Sequence, residues 1–272
     1  KYYNGGKGIL TKVMEKPSNV ARYAHLKDAS GNWTVRDDVM VRAVIRDGKK
    51  VLYGVLSIGF TGYGDPHHFG PELQIGHRLG DHFESTVLLI KTAWGGKSLH
   101  KDFRPPSAGG ETGEYYKKML DDFQEGLRRI PEEFPALVGC KPELSGFFWF
   151  QGWNDMFDEQ ARNGYEQNLV HLIQDLRRDL RFADMPVVVG ELGNGGESAG
   201  KSMKMIRSAQ AAACIRPELG GNVRFVKTAG FARLAKDSPN VGHGHHWFGN
   251  AESYFLIGDA LGQAMVELLG AR

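Results

Sequence analysis

Short apolar runs alternate with amphipathic stretches from about residue 70 to the end of the chain, and this pattern predicts an α/β fold. Apolar runs of strand length lie at 86–90, 147–151, 186–190 and 223–226. Apolar residues recur at helical spacing in five stretches. One begins at Pro71, and the other four cover 115–130, 165–180, 201–215 and about 256–268. Because the connections are long enough for right-handed crossovers, we predict a three-layer sandwich around a mainly parallel central sheet.

The first 60 residues carry a weaker pattern. Residues 38–45 and 51–58 are rich in apolar and β-branched side chains, and Asp47-Gly48 between them is typical of a hairpin turn. Residues 1–35 lack clear periodicity. We find neither an internal repeat nor a second domain, so we predict that residues 1–272 form a single domain.

Four consecutive aromatic residues at 147–150 predict a buried strand, and the chain then changes character at once. The next residues are Gln151-Gly152-Trp153-Asn154-Asp155, which are polar and turn-forming. In α/β proteins ligands lie beyond the carboxyl ends of the strands, so this loop is a candidate functional element. A core strand followed by an ordinary turn is the alternative interpretation.

Length and composition narrow the function classes. A chain of 272 residues that is 41% hydrophobic can bury a full core. Its net charge of +2, with acids and bases interspersed, gives no electrostatic footprint for nucleic acid. No apolar run approaches the length of about 18 residues that spans a membrane. Two cysteines, Cys140 and Cys214, argue against a disulfide framework. The chain opens on Lys1 rather than Met, which favours a processed or partial product.

Three loops at predicted strand ends carry groups that could do chemistry. They are 94–96 with two glycines, 151–155 with an asparagine, and 243–247 with three histidines. We predict that the loops 93–98, 151–155 and 243–247 meet at one edge of the sheet. A glycine loop can present a bare backbone N–H, and the amide of Asn154 is a neutral donor, so together they could hold a developing oxyanion. A histidine just before a helix could act as a general base. A turn glycine, a capping asparagine and a surface histidine are the alternative interpretations of the three features.

Several motifs resemble the SGNH-hydrolase superfamily, and within it the carbohydrate esterases grouped with sialate O-acetylesterases and acetylxylan esterases. One is Gly-Pro-Glu-Leu at 70–73, and another is Val-Leu-Leu-Ile-Lys-Thr-Ala-Trp-Gly-Gly at 87–96. Arg-Pro-Pro-Ser at 104–107, Phe-Gln-Gly-Trp-Asn-Asp at 150–155 and His-Trp-Phe-Gly-Asn-Ala at 246–251 complete the set. The similarity covers nearly the whole chain and implies a flavodoxin-like SGNH-hydrolase fold.

The resemblance implies roles for particular residues in a carbohydrate O-acetylesterase. Gly95 and Gly96 would supply an oxyanion N–H, Asn154 a second donor, and His246 the base that activates a serine. Three residues are expected to bind the acetylated glycan substrate, namely Gln151, Trp153 and Trp94. Trp247 is a further residue that could stack on a sugar ring. The resemblance implies no metal or organic cofactor. From charge and hydropathy we expect neither a nucleic-acid nor a membrane partner, and we expect a secreted or periplasmic location.

The chain departs from the family pattern at two catalytic positions. It has no Gly-Gln-Ser-Asn block to carry the nucleophile, and Ser18, Ser57 and Ser98 all lack the context for that role. The family pattern also places an aspartate three residues before the histidine, where this chain has His243. Three candidates to orient His246 remain, namely Asp237, Asp155 and a backbone carbonyl.

Two hypotheses account for the absent serine. In the first, the nucleophile strand lies upstream of Lys1; in the second, the protein is a non-catalytic carbohydrate-binding or structural relative. The first hypothesis makes a structural prediction, because in the doubly wound order the first strand separates the second from the third. The strands at 86–90 and 147–151 should then not pair with each other, and the slot between them should be about two strand spacings wide, roughly 9–10 Å.

Overall fold

The computed structural model describes residues 3–45, 50–62 and 67–270. Of Tyr3 it describes only the backbone. The predicted Asp47-Gly48 turn lies outside the described residues. The strands are β1 Arg36–Ile45, β2 Lys50–Leu56, β3 Val87–Thr92, β4 Phe147–Trp149, β5 Val187–Gly190 and β6 Val223–Val226. The helices are α1 Leu10–Met14, α2 Val20–Tyr23, α3 Glu72–His82, α4 Glu114–Arg128, α5 Ile130–Glu133, α6 Glu159–Asp179, α7 Lys201–Cys214 and α8 Ala251–Gly270.

The described strands form two three-stranded sheets. In the first sheet, ordered β2-β1-β3, β1 is antiparallel to β2 and parallel to β3. Ile45 pairs with Lys50, so the predicted hairpin is present. In the second sheet, ordered β4-β5-β6, all strands are parallel. The predicted α/β class with helices on both faces is confirmed, although the strands do not join into one continuous sheet.

The break between the sheets falls between β3 and β4, which do not pair with each other, as predicted. Both strands nevertheless contribute side chains to one apolar cluster, since Val87 and Leu89 of β3 and Phe148 of β4 pack against it. Every residue of β5, which is paired on both sides, is buried, whereas every residue of β3 is only half-buried. β3 is more exposed than β5 because one of its two edges has no strand partner among the described residues.

Helices cover both faces of the second sheet because its side chains alternate in direction. Val187 and Val189 point into a core made with α4, α6 and α7, while Val188 points into a core made with α3 and α8. On α8, a Cβ added at Gly262 would lie 2.7 Å from Cβ of Arg78, so the glycine lets α3 pack closely. No helix in the described part of the chain is long and apolar enough to cross a membrane.

Candidate functional site

The loops that follow β3 and β4 meet the loop that precedes α8. A Cβ added at Gly96 would lie 3.9 Å from Nδ2 of Asn154, so the first two loops are in contact. The ring of Trp153 lies 5.8 Å from that of His245, which brings in the third loop. This placement agrees with the expectation that the three loops meet at one edge, and the catalytic roles assigned to their residues stay predictions.

The glycine turn after β3 includes a residue in the left-handed conformation. Gly96 has φ of +74°, in the left-handed region that glycine adopts without a Cβ penalty. Gly95 and Gly96 are both exposed, and no hydrogen bond from either N–H to a described residue is found. Both N–H groups are therefore available to an oxyanion beside the amide of Asn154.

The buried carboxylate of Asp155 ties the first two loops together. It accepts hydrogen bonds from the N–H of Leu99 at 2.9 Å, the N–H of His100 at 2.8 Å and Nε2 of Gln151 at 2.7 Å. Burial raises the pKa of Asp155, and these hydrogen bonds oppose that shift. Because both carboxylate oxygens accept hydrogen bonds from these loops, Asp155 serves here as a loop anchor. Its candidacy as the acid that orients His246 gains no support from these contacts.

The side chain of Gln151 takes part in the same network. Its Nε2 also donates to the carbonyl oxygen of Lys97 at 3.0 Å, and its Oε1 accepts from the hydroxyl of Tyr165 at 3.1 Å. With Asp155 as the second acceptor, both N–H bonds of the amide are used within the protein. The predicted role of Gln151 in substrate binding stays a prediction, while the contacts assign it to holding the loops.

The predicted tryptophans differ in what they can offer a sugar. Trp153 is half-buried, between the rings of His245 and Phe157. Trp94 is half-buried as well and packs against Phe103 and Tyr115. By contrast Trp247 is buried with only 5% exposure, and it stacks on Phe150. The suggestion that Trp247 stacks on a sugar ring is therefore wrong, because its apolar surface is used in the core.

The histidine loop is held in a strained conformation. Trp247 and Phe248 have φ of +52° and +54°, which is unfavourable for residues with a Cβ by about 1–2 kcal/mol each. The N–H of Phe248 donates to the carbonyl oxygen of His243 at 2.9 Å, and the hydroxyl of Tyr254 donates to that of His246 at 3.2 Å. Such strain persists only where the surroundings determine the backbone, and it is concentrated at functional sites.

His246 is half-buried beside two other histidines, His243 and His245. Burial lowers its pKa to about 4, and the proximity of His245 and His243 lowers it further. The ring is consequently neutral at neutral pH and can accept a proton. The ring of His243, at the position where the resemblance expects an aspartate, lies 6.3 Å from the ring of His246. Asp237 is exposed, its backbone N–H donates to the carbonyl oxygen of Leu234, and its backbone carbonyl accepts from Nδ2 of Asn250.

The serines considered as nucleophiles have structural contacts. The hydroxyl of Ser98 donates to Asp102 at 3.0 Å and accepts from the N–H of Lys101, which closes the loop after the glycine turn. The hydroxyl of Ser57 donates to the carbonyl oxygen of Thr34 at 3.0 Å. That of Ser18 lies 3.5 Å from Oδ1 of Asn19. These contacts agree with the expectation that none of the three serines is the nucleophile.

Two residues that the sequence pattern did not single out support the candidate site. Asn194, which is 3% exposed, donates from Nδ2 to the carbonyl oxygen of Gly244 at 3.0 Å and so supports the histidine loop. Arg207 donates to the carbonyl oxygens of Leu192, Asn194 and Gly196, and thereby holds the loop that carries Asn194. Asn-Gly-Gly in a sequence is typical of a turn, and nothing in that pattern indicates that the side chain is buried.

Comparisons with known proteins identify the family of the chain. A protein-family model described as carbohydrate esterase, sialic acid-specific acetylesterase, matches residues 23–267. A probable carbohydrate esterase of Arabidopsis thaliana is 26% identical over 92 residues, which is 34% of this chain and 34% of the plant protein.

Two solved structures share the fold. The crystal structure of an Arabidopsis thaliana protein has a TM-score of 0.59 at 18% identity, covering 89% of this chain and 90% of that one. A carbohydrate acetylesterase from Xanthomonas citri has a TM-score of 0.55 at 12% identity, covering 96% of this chain and 54% of that one. The aligned part therefore spans about a third of the curated relative and about half of the Xanthomonas chain. Because the family model covers most of the chain, this protein belongs to the family of carbohydrate esterases described as sialic acid-specific acetylesterases.

Proposed function

We propose that the protein is a carbohydrate O-acetylesterase that hydrolyses acetyl esters on a polysaccharide or on sialic acid by a serine–histidine mechanism. The observation that carries the proposal is that the glycine turn lies next to the amide of Asn154. Nδ2 of Asn154 is 3.9 Å from the position that a Cβ on Gly96 would take. Two neutral donors that converge from different loops suit the oxyanion of an acyl-transfer intermediate.

In the proposed reaction a serine hydroxyl attacks the acetyl carbonyl carbon while His246 takes the hydroxyl proton. The carbonyl oxygen becomes an oxyanion, which accepts hydrogen bonds from the N–H of Gly96 and the amide of Asn154. The intermediate collapses, the ester C–O bond breaks, and His246 returns the proton to the sugar oxygen. A water molecule, deprotonated by His246, then attacks the acetyl-serine, and acetate leaves as the serine regains its proton.

We place the nucleophile on a β-strand that fills the slot between β3 and β4 and that lies outside residues 1–272. In support, β3 and β4 do not pair with each other, and each backbone N–H or C=O left unpaired when buried costs about 1–3 kcal/mol. A parallel strand in that slot would end between the glycine turn and Asn154. A serine at its carboxyl end would then stand next to both oxyanion donors.

The test uses the protein as its gene encodes it, with any residues that precede Lys1. Acetate release would be measured from acetylated xylan, from O-acetylated sialic acid and from p-nitrophenyl acetate. We expect turnover that falls by about 10²–10³-fold in Asn154→Ala, and at least as far in His246→Ala. Covalent labelling by a fluorophosphonate probe, mapped by mass spectrometry, should identify a serine in the slot strand. Absence of turnover on all three substrates in a folded protein would contradict the proposal.

A second function, carbohydrate binding without hydrolysis, is favoured by one observation. His243 stands where the family pattern has the aspartate that orients the catalytic histidine. This alternative expects affinity for acetylated glycans, unchanged by His246→Ala, together with no labelling by the fluorophosphonate. Calorimetric titration with acetylated xylan oligosaccharides, run beside the acetate assay, separates the two functions.

A further inference from the structure

A solvent-open cavity of about 610 Å³ lies between the amino-terminal turns of α6 and α7. Its volume is within the range of about 300–1,000 Å³ that small-molecule sites occupy. Arg162 and Asn163 line it from α6, and Lys201, Lys204 and Ser208 line it from α7. The described side chains that line this cavity include three cations and no acid.

The positive charge of this cavity is not neutralised by the acids closest in sequence. Glu166 on α6 pairs with Arg216, and Asp158 caps α6 through the N–H of Ala161. Glu159 and Glu197 are exposed and do not line the cavity. The described ion pairs include none made by the three lining cations. An anion in the cavity would therefore meet uncompensated positive charge.

The start of α7 adds to this positive field. Lys201 and Lys204 lie in the first turn, at the positive end of the helix dipole, where a cation is unfavourable unless an anion neutralises it. Gly200 at the N-cap provides no side-chain hydrogen bond to the first turn. Across the cavity, Nε of Arg162 is buried and has no hydrogen-bond partner among the described residues. The ammonium groups on α7 can donate to an anionic group, and the guanidinium of Arg162, whose Nε itself is buried, adds positive charge from the opposite wall.

Arg162 connects this cavity to the candidate active site. Its Nη1 donates to the carbonyl oxygen of Met156 at 2.7 Å, within the turn that begins at Asn154. Phe157 in the same turn is 69% exposed, and its ring lies 6.0 Å from that of Trp153. Because α6 and α7 follow β4 and β5, their amino ends lie at the carboxyl edge of the sheet, where the site also lies. The turn that carries the exposed ring of Phe157 is therefore tied through Arg162 to one wall of the cavity.

We propose that this cavity binds the carboxylate of an acidic sugar residue in the glycan that carries the acetyl ester. Phe157 and Trp153 then pack against the sugar rings that lie between the ester and the carboxylate. The position of the ester rests on the proposed esterase function, but recognition of the carboxylate does not require hydrolysis. A carboxylate accepts hydrogen bonds only, which matches a lining rich in guanidinium and ammonium donors. Apolar ring faces of sugars pack well on aromatic side chains.

Binding would be measured by calorimetry on the full protein, with three deacetylated oligosaccharides of equal length: neutral, uronate-containing and sialic acid-containing. We expect at least one acidic oligosaccharide to bind about tenfold tighter than the neutral one in low salt, and the preference to shrink as salt rises. The acidic oligosaccharide that binds tighter identifies the source of the carboxylate. The double variant Lys201→Ala/Lys204→Ala should lose the preference, whereas the matched control Lys117→Ala/Lys141→Ala should keep it.

Hydrolysis provides the second readout. The Lys201→Ala/Lys204→Ala variant should raise KM for an acetylated acidic polysaccharide about tenfold, with kcat and the hydrolysis of p-nitrophenyl acetate unchanged. Equal binding of acidic and neutral oligosaccharides, or an acidic preference that survives in the double variant, would overturn the proposal. Loss of all esterase activity with the acidic preference intact would instead contradict the proposed function and leave the carboxylate site supported.

Discussion

The carboxylate of Asp155 and the backbone N–H of Leu99 form a buried hydrogen bond of 2.9 Å, which joins the loop after β4 to the loop after β3. The second oxygen of the carboxylate makes the equivalent bond to the N–H of His100 at 2.8 Å. The glycine turn and Asn154 are therefore held in register by one side chain. Geometry at the proposed oxyanion site depends on that side chain, which is fully buried.

Replacement of this anchor should destabilise the protein and its site together. In Asp155→Ala two buried N–H groups and the amide of Gln151 lose their acceptor, so we expect a loss of about 2–5 kcal/mol in the free energy of unfolding. Asp155→Asn retains one carbonyl oxygen and should lose less than half as much. Urea denaturation measures both effects. Equal stabilities for the wild type and Asp155→Ala would show that the loops do not depend on this anchor.

The two glycines of the turn after β3 should differ sharply in their tolerance of a side chain. Gly96→Ala forces a Cβ onto a residue at φ of +74°, which should cost about 1–2 kcal/mol and shift the N–H away from Asn154. At Gly95 an added Cβ meets nothing within 4 Å, and its φ lies outside the left-handed region. Gly95→Ala is thus the matched control. We expect esterase turnover to fall at least tenfold in Gly96→Ala only, and comparable losses in both variants would argue against the assigned geometry.

Restoring a carboxylate at position 243 should raise the pKa of His246. In the wild type burial and the neighbouring histidines lower that pKa to about 4. A negative charge favours the protonated imidazole, so His243→Asp should move the pKa upward by about 1–2 units. NMR titration of the imidazole signals measures this directly, and the acid limb of the kcat/KM profile should move to higher pH in parallel. His243→Asn, which is close in shape and uncharged, is the control; a similar shift in both variants would exclude a charge effect.

His77 should make the protein less stable in mild acid. The ring is 4% exposed, and burial lowers its pKa to about 4, assisted by His25 and Arg36 and opposed by Asp81 and Asp38. Between about pH 4 and 6.5 the unfolded chain binds a proton that the folded chain does not, so stability falls as pH decreases through this window. The total contribution is about 3 kcal/mol.

The test compares unfolding free energies at several pH values in the wild type and in His77→Gln. The variant lacks the titrating ring, so its stability should depend less steeply on pH in that window. His82→Gln, which replaces an exposed histidine on the same helix, should keep the slope of the wild type. An unchanged slope in His77→Gln would assign the acid sensitivity to other groups.

The sequence by itself determined the class and most of the elements from residue 38 onward, because that information is local. The short helices α1 and α2 lie within residues 1–35, where no periodicity predicted them. The apolar run that becomes β6 was predicted with its observed bounds, and the helix predicted from 201 to 215 ends at Cys214. Strand-end loops could also be predicted, since an apolar run followed by Gly or Asn is itself a pattern of adjacent residues. The resemblance then supplied the expectation that β3 and β4 are separated, which the sheet order confirms.

Only the tertiary structure decided what each polar side chain contacts. Whether Gln151 binds a sugar or holds a loop depends on Lys97 and Tyr165, which approach from 54 residues upstream and 14 residues downstream. Trp247 and Trp153 look alike in sequence, yet the first is buried against Phe150 and the second lies beside His245. Burial and hydrogen-bond partners are set by packing between distant segments, and a local pattern carries no record of that packing. For the same reason the cationic cavity between α6 and α7 could be found only once the two helices were placed side by side.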